Sequence, residues 1–307
     1  MKKKLVVLWL VLMVLTAATA GAGELERIRE KGALTVSLNR DYPPFSMEKD
    51  GAVIGLDVDL AQLMAEVLGV EVKFIRPDAF DQQIPKLLAG EADIIMAAMT
   101  RTMERALMVN FSEPYFEVSQ AALVRRSKAP RDARSYFDLL DIDGLRLGVK
   151  TGTTHEAFAR KLFPTNVISG YPTAAAASEA LVAGEVDAMV ADSPFVQVWH
   201  STHVQHYAQI TALLEPVTRE FYAFAIRKGD PDFLNWLNVF VAQIRTDGTM
   251  ELLRYEYFEQ MAWVAGEKSP PEKSNRPLFL KNRFMAEKKA MIEKRRRKAL
   301  EKGASYD

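Results

Sequence analysis

Arg105 and Asp192 are the charged residues from which a chemistry can be argued, because each stands at the end of one copy of a repeated local design. Residues 87–105, LLAGEADIIMAAMTRTMER, predict a helix end at Leu87 and Leu88, a cap at Gly90, a short apolar strand over 94–98 and a new helix opening at Thr102. Arg105 sits on the first turn of that helix. A strand running into a helix start favours anions, because unpaired backbone N–H groups and the helix dipole both point there. The same design returns 94 residues later as LVAGEVDAMVADS, residues 181–193. Ala89, Gly90, Glu91 and Asp93 align with Ala183, Gly184, Glu185 and Asp187, and the two strands end at Ala98 and Asp192. One strand end is followed by an arginine; the other carries a carboxylate.

The planar fork of Arg105 matches a carboxylate in a charge-assisted contact worth about 1.5–3 kcal/mol. Thr100 adds a hydroxyl at the same end, and the backbone carbonyl of Ala98 offers an acceptor. KTGTTHE, residues 150–156, reads as a strand, a glycine turn and a helix start. Thr153 and Glu156 fit a capping box there, which leaves the N–H and hydroxyl of Thr154 to face an anion. Asp192 supplies the opposite charge. A positive clamp, an anion-binding helix start and one carboxylate describe a zwitterion site, and an α-amino acid is the smallest natural ligand that fits it.

Plainer roles compete for the same residues. Arg105 fits a surface helix, Asp192 fits a cap on the helix at Ser193, and Tyr42 and Phe45 fit an ordinary core. His155 either lines the cleft or faces solvent from a first helical turn. His200, His203 and His206 are spaced by three on one helix, a possible metal trio that lacks a fourth ligand of defined spacing. No G-x-S-x-G, P-loop or H-E-x-x-H pattern occurs, so nucleophilic, nucleotide and zinc-protease readings have no starting residue. No cofactor and no metal are expected.

Strands and helices alternate along the chain, which predicts an α/β sheet with mostly parallel strands. A helix over 24–31 closes at Gly32, and a strand over 33–39 leads to a proline turn at 40–44. Asp50-Gly51 marks a hairpin turn, and Asp57 and Asp59 read as caps before a helix over 60–68. A strand over 70–75 and a helix entered near Asp81 follow, with Pro85 tolerated in its first turn. An extended segment over 115–124 crosses into a second lobe. Its strands lie over 145–150, 167–169 and 186–190, and its helices over 154–162, 174–183 and 194–207. The chain returns through 210–217 and a strand over 221–227, and helices over 231–245 and 249–258 close the first lobe. These boundaries assign 21–118 and 218–262 to lobe 1 and 119–217 to lobe 2, joined by two hinge crossings.

The ends differ in kind. Lys2, Lys3 and Lys4, an apolar run over 5–15 and Ala18-Thr19-Ala20 form a secretory signal peptide over 1–20. With no cysteine in 307 residues the chain has neither a disulfide framework nor a lipidation site, so a periplasmic location is expected. Residues 263–307 read as a linker and a basic C-terminal helix carrying Lys294 and Lys298 around three arginines. From 267 to 307 there are 13 basic and 6 acidic residues, which leaves a body of 34 acidic against 24 basic once the signal is removed. So acidic a body is a poor partner for nucleic acid. The basic tail reads as a solvated charged helix, or as one that meets an anionic membrane surface or a partner protein.

YPPF at 42–45, GLDVDLA at 55–61, AMTRTMER at 98–105, GVKTGTT at 148–154 and AGEVDAMVADS at 183–193 together resemble the polar amino-acid-binding periplasmic proteins of ABC importers, solute-binding protein family 3. The resemblance spans about 24–262. It implies a two-lobed, type II Venus-flytrap α/β fold in which the position of Arg105 clamps the ligand α-carboxylate with Thr100 and Thr154. It also implies that Asp192 holds the ammonium and that Tyr42 packs on the ligand side chain. Asn39 matches a place that is acidic in binders of cationic amino acids, so a polar or neutral side chain is favoured. Ala97 and Ala98 stand where small hydroxyl residues or glycine are frequent, which removes hydroxyls but leaves the carbonyl contact. The implied partners are an amino acid and an inner-membrane ABC permease, with the protein a monomer. The same fold resembles cyclohexadienyl or arogenate dehydratases, which need an acid in the cleft. A ligand-sensing protein signalling to a partner is a third possibility.

Overall fold

The computed structural model describes residues 23–265. The expected signal peptide and the basic tail therefore lie outside the described residues, apart from the first few of 263–307.

Apolar residues on both faces of a strand require cover on both sides, and the central strands read that way. β8 (Gln120–Arg125) and β11 (Ala188–Asp192) are buried along almost their whole length, whereas β4 (Glu71–Ile75) and β10 (Val167–Tyr171) alternate with exposed positions. The former lie inside a sheet between helix layers and the latter at an edge. With β1 (Ala33–Ser37), β5 (Ile94–Ile95), β6 (Asn110–Phe111) and β14 (Ala225–Ile226), the first sheet has the order β4-β1-β5-β14-β6. With β9 (Arg146–Lys150) and β12 (Ile210–Leu213), the second has the order β10-β9-β11-β8-β12. In each, three strands run parallel and the remaining two join antiparallel. The two lobes thus share one topology.

The aligned repeat explains part of that likeness. Asp93 accepts the backbone N–H of Thr35 at 2.7 Å and pairs with Arg27 and Lys31. Asp187 accepts the N–H of Arg146 at 3.1 Å and pairs with that arginine's side chain. In both lobes a carboxylate ties the turn before one strand to the start of its parallel neighbour. The repeated aspartates are therefore joints of the fold, away from the cleft.

Between the sheets, β7 (Phe116–Val118) pairs antiparallel with β13 (Glu220–Tyr222), forming the two-stranded crossing. The strand expected over 221–227 is split: β13 lies in this hinge and β14 in the first sheet. A hairpin of β2 (Met47–Lys49) and β3 (Ala52–Ile54) turns at Asp50 and Gly51, which both have positive φ. Helix α1 (Glu24–Lys31) closes at left-handed Gly32 as its sequence predicts.

Helix α2 (Leu56–Leu68) starts earlier than expected, and Gly55 precedes it at φ 142 with Phe45 O only 2.2 Å from where a Cβ would sit. Only glycine fits that approach. Asp57 and Asp59 consequently lie inside the first turn and are not caps. Asp57 accepts from Tyr115 OH at 2.7 Å, and Asp59 from Tyr257 OH at 2.7 Å. Propensity favours aspartate at a helix start for local reasons; here buried tyrosines supply better partners.

After α3 (Gln83–Leu88) comes α4 (Met103–Ala106), which is a single turn capped by Thr102. In the second lobe α5 (Thr154–Leu162) and α6 (Ala174–Ala183) match their predicted limits. Helix α7 (Ser193–Thr202) ends before the expected 207, and a short 3-10 turn continues to His206. α8 (Pro231–Thr246) and α9 (Thr249–Arg254) return to the first lobe, with a π turn completing the segment expected as helix to 258. Fully buried Phe45, Phe224 and Phe233 anchor that lobe, each contributing about 1.5–3 kcal/mol. Among the described residues no helix is long and apolar enough to cross a membrane.

Candidate functional site

Parallel strands in both lobes end at one cleft, where α/β sheets present their loops. Asn39 and Tyr42 follow β1, Ala98, Thr100 and Arg105 follow β5, Lys150 ends β9 with Thr153 to His155 following it, and Asp192 ends β11. Asn39, Tyr42, Phe80, Ala98, Thr100, Arg105, Lys150, Thr153, Thr154, His155 and Asp192 line a single cavity. Every residue singled out from the sequence as ligand-binding reaches it.

On the acceptor side, Asp192 occupies the N-cap position of α7 but its side chain makes no cap hydrogen bond, so the cap role does not hold. Its Oδ2 accepts from Tyr42 OH at 3.1 Å and from Tyr222 OH, and His155 Nε2 lies 2.9 Å away. Burial alone would raise this carboxyl. His155 beside it and the hydrogen bonds of Tyr222 and Tyr42 outweigh that effect and hold it below the usual carboxylate range. Its Oδ1 is buried without a hydrogen-bond partner among the described residues. A buried carboxylate oxygen without a donor is costly, and an ammonium group is the matching donor.

Across the cleft Arg105 is half-buried, not a surface helix residue. Nη1 donates to Thr100 O at 2.8 Å, Nη2 to Gly152 O at 3.4 Å, and the guanidinium lies 5.5 Å from the Phe80 ring centroid. Burial lowers its pKa, while Asp192, Glu220 and Glu104 act in the opposite direction. The one-turn α4 cannot supply the anion site expected of its N-terminus, since Thr102 Oγ1 accepts the N–H of Arg105. The positive charge at this end comes from the guanidinium.

The Thr100 and Thr154 hydroxyls face each other at 3.5 Å. The capping box expected at α5 is half formed. Thr153 Oγ1 accepts from Glu156 N, but Glu156 Oε2 reaches Gly152 N at 2.8 Å instead of Thr153 N. Gly152 at φ +76 turns the chain so closely against lobe 1 that an added Cβ would lie 2.9 Å from Asp81 Cβ.

Ala98 has φ 48, a left-handed conformation that costs a non-glycine residue about 1–2 kcal/mol. Its N–H donates to Asp57 Oδ2 at 2.8 Å, which fixes the plane of the Ala97–Ala98 peptide, whose Ala97 carbonyl accepts from Asn39 Nδ2 at 3.4 Å. Tyr42 stacks on Phe195 of the opposite lobe at 5.2 Å and 11°.

Lys150 was not apparent as a site residue from the sequence, although its place at a strand end was the available signal. It is 2% exposed, donates to Asn39 Oδ1, and lies 4.9 Å from the Phe80 and 5.4 Å from the Tyr42 ring centroids. Burial pushes its ammonium down to about 7, with Asp41 and Asp192 opposing. Phe80, Tyr222 and Asp57 are further residues that sequence reasoning passed over.

The histidine trio is used otherwise. His203 stacks on Trp199 at 4.4 Å and His200 on Tyr207 at 4.4 Å. Among the described residues no group of three His, Cys, Asp or Glu side chains could hold a metal ion.

Comparison with known proteins gives concordant results. Residues 34–260 match the family model for bacterial extracellular solute-binding proteins, family 3. The ABC transporter arginine-binding protein 1 of Escherichia coli K12 is 29% identical over 82% of this chain and 99% of its own length. The crystal structure of a putative ABC-transporter binding component from Wolinella succinogenes, complexed with lysine, is 39% identical, with a TM-score of 0.71 over 76% of this chain and 99% of that one. The ancestral amino acid-binding protein AncCDT-1, described as a precursor of cyclohexadienyl dehydratase, is 37% identical, with a TM-score of 0.69 over 78% and 100%.

Proposed function

Because the chain belongs to the bacterial extracellular solute-binding proteins of family 3, we propose that it captures an L-amino acid with a polar or neutral side chain between its lobes and delivers it to an ABC importer in the periplasm. The observation that carries this reading is the pairing, in one cavity, of the Arg105 guanidinium from lobe 1 with Asp192 from lobe 2, whose Oδ1 lacks a donor.

Arg105, with the Thr100 and Thr154 hydroxyls, takes the α-carboxylate, and Asp192 with the Ala98 carbonyl takes the ammonium. A ligand bridging groups from both lobes stabilises the closed arrangement by its differential affinity. A permease then reads that arrangement.

Binding rather than catalysis is favoured by the state of Asp192. A carboxyl acting as the general acid of a dehydratase must carry a proton, whereas His155 beside it and the hydrogen bonds of Tyr222 and Tyr42 hold the Asp192 carboxyl below the usual carboxylate range. Loss of turnover-free behaviour, seen as conversion of prephenate by the purified protein, would overturn this part of the reading.

The decisive test is calorimetry with the twenty amino acids on ligand-stripped protein. Wild-type protein binds at least one of them with micromolar or better affinity, and Arg105→Ala abolishes that binding while its circular dichroism is retained. Unchanged affinity in Arg105→Ala refutes the proposal.

A further inference from the structure

The cavity contains one more cation than the recognition of a zwitterion requires. Arg105 and Asp192 answer the α-carboxylate and the α-ammonium. Lys150 remains, entering from the end of β9 between the rings of Phe80 and Tyr42, with Asn39 as its hydrogen-bond partner. Asn39 and the two rings are neutral. The carboxylates that act on Lys150 are Asp41 and the Asp192 already engaged.

From this we propose that Lys150 is the specificity-determining residue of the site and that the ligand is an amino acid whose side chain ends in a carboxylate. The inference rests on the amino-acid-binding reading above.

Charge balance favours it. Among the groups lining the cavity, Arg105 and Lys150 stand against Asp192, and Asp41 acts on Lys150 from outside that lining without forming an ion pair, so the second carboxylate of an amino dicarboxylate supplies the direct ionic partner that Lys150 lacks among the described residues. Burying charge is tolerable only when it is paired. Burial holds the Lys150 ammonium down to about 7, so a ligand carboxylate is the counter-charge that restores its charged form. A ligand with an ammonium or guanidinium side chain brings Lys150 no counter-charge and repels its charged form. A side-chain amide can accept one hydrogen bond from Lys150 but supplies no charge.

Titration calorimetry of the ligand-stripped full chain at pH 7 with L-glutamate, L-aspartate, L-glutamine and L-arginine tests this. Wild-type protein is expected to bind glutamate or aspartate at least tenfold more tightly than glutamine or arginine. Lys150→Met should weaken the acidic ligand at least tenfold and by a larger factor than it weakens glutamine, and an unchanged circular dichroism spectrum reports that the variant is folded. Asn39→Asp supplies Lys150 with a carboxylate of its own and should likewise weaken the acidic ligand. Arginine or glutamine binding as tightly as both acids, or undiminished glutamate and aspartate binding in both variants, overturns the assignment of Lys150 and leaves the amino-acid reading standing. Failure of wild-type protein to bind any of the twenty amino acids overturns both.

Discussion

Asp57 Oδ2 accepts the backbone N–H of Ala98 at 2.8 Å, so a carboxylate in the first turn of α2 holds in place a residue of left-handed backbone that lines the cleft. Its other oxygen accepts from Tyr115 OH at 2.7 Å, directly before hinge strand β7. One buried side chain thereby links the binding loop to the crossing on which the lobes turn.

Asp57→Ala removes an acceptor from two buried donors, and a stability loss of about 2–4 kcal/mol is expected. The pH dependence has a definite sign. Burial raises the Asp57 carboxyl to about 7, against the lowering effect of Tyr115 and Ala98. A carboxyl raised on folding adds most stability below its unfolded value of about 4, and that contribution is lost as pH rises through about 7. Denaturant titration from pH 4 to 8 should therefore show a downward trend in wild-type protein that is flatter in Asp57→Asn. Parallel profiles would rule this out.

Gly152→Ala tests the approach of the lobes. The residue has φ +76, and an added Cβ would meet Asp81 at 2.9 Å across the cleft. The left-handed backbone costs about 1 kcal/mol in any state, while the clash exists only when the lobes meet. Ligand affinity should fall at least tenfold, with a melting temperature lowered only slightly. A wild-type affinity in this variant would show that Gly152 and Asp81 do not limit closure.

Lys150→Met should stabilise the protein at neutral pH. The Lys150 pKa is lowered by burial to about 7 from about 10.4 in an unfolded chain. A base depressed in this way contributes stability that is present above the unfolded value and lost as pH falls toward the folded one. The variant should therefore be more stable than wild type by about 1–3 kcal/mol near pH 7, with the difference shrinking toward pH 10. Thermal melts at pH 7 and 9.5 check this, and a gain that grows with pH would contradict it.

Much of the architecture was legible along the chain because it depends on local rules. Alternation of apolar strands and helices fixed the fold class, Asp50-Gly51 marked the hairpin, and the limits of α5 and α6 follow from caps at Thr153 and Thr173 and the left-handed stop at Gly184. The repeat ending at Ala98 and Asp192 pointed to one cleft, since parallel strand ends converge on one edge of a sheet. What each side chain does there was decided only by tertiary structure. Asp57 and Asp59 look like caps in sequence and are bound by tyrosines 58 and 198 residues away. Lys150 looks like the polar end of a strand, and becomes a buried cation only because Asn39, Tyr42 and Phe80 close over it from the other lobe. Local propensity and periodicity act within a few residues and so can be read from the chain, whereas desolvation and charge pairing depend on which distant segments meet.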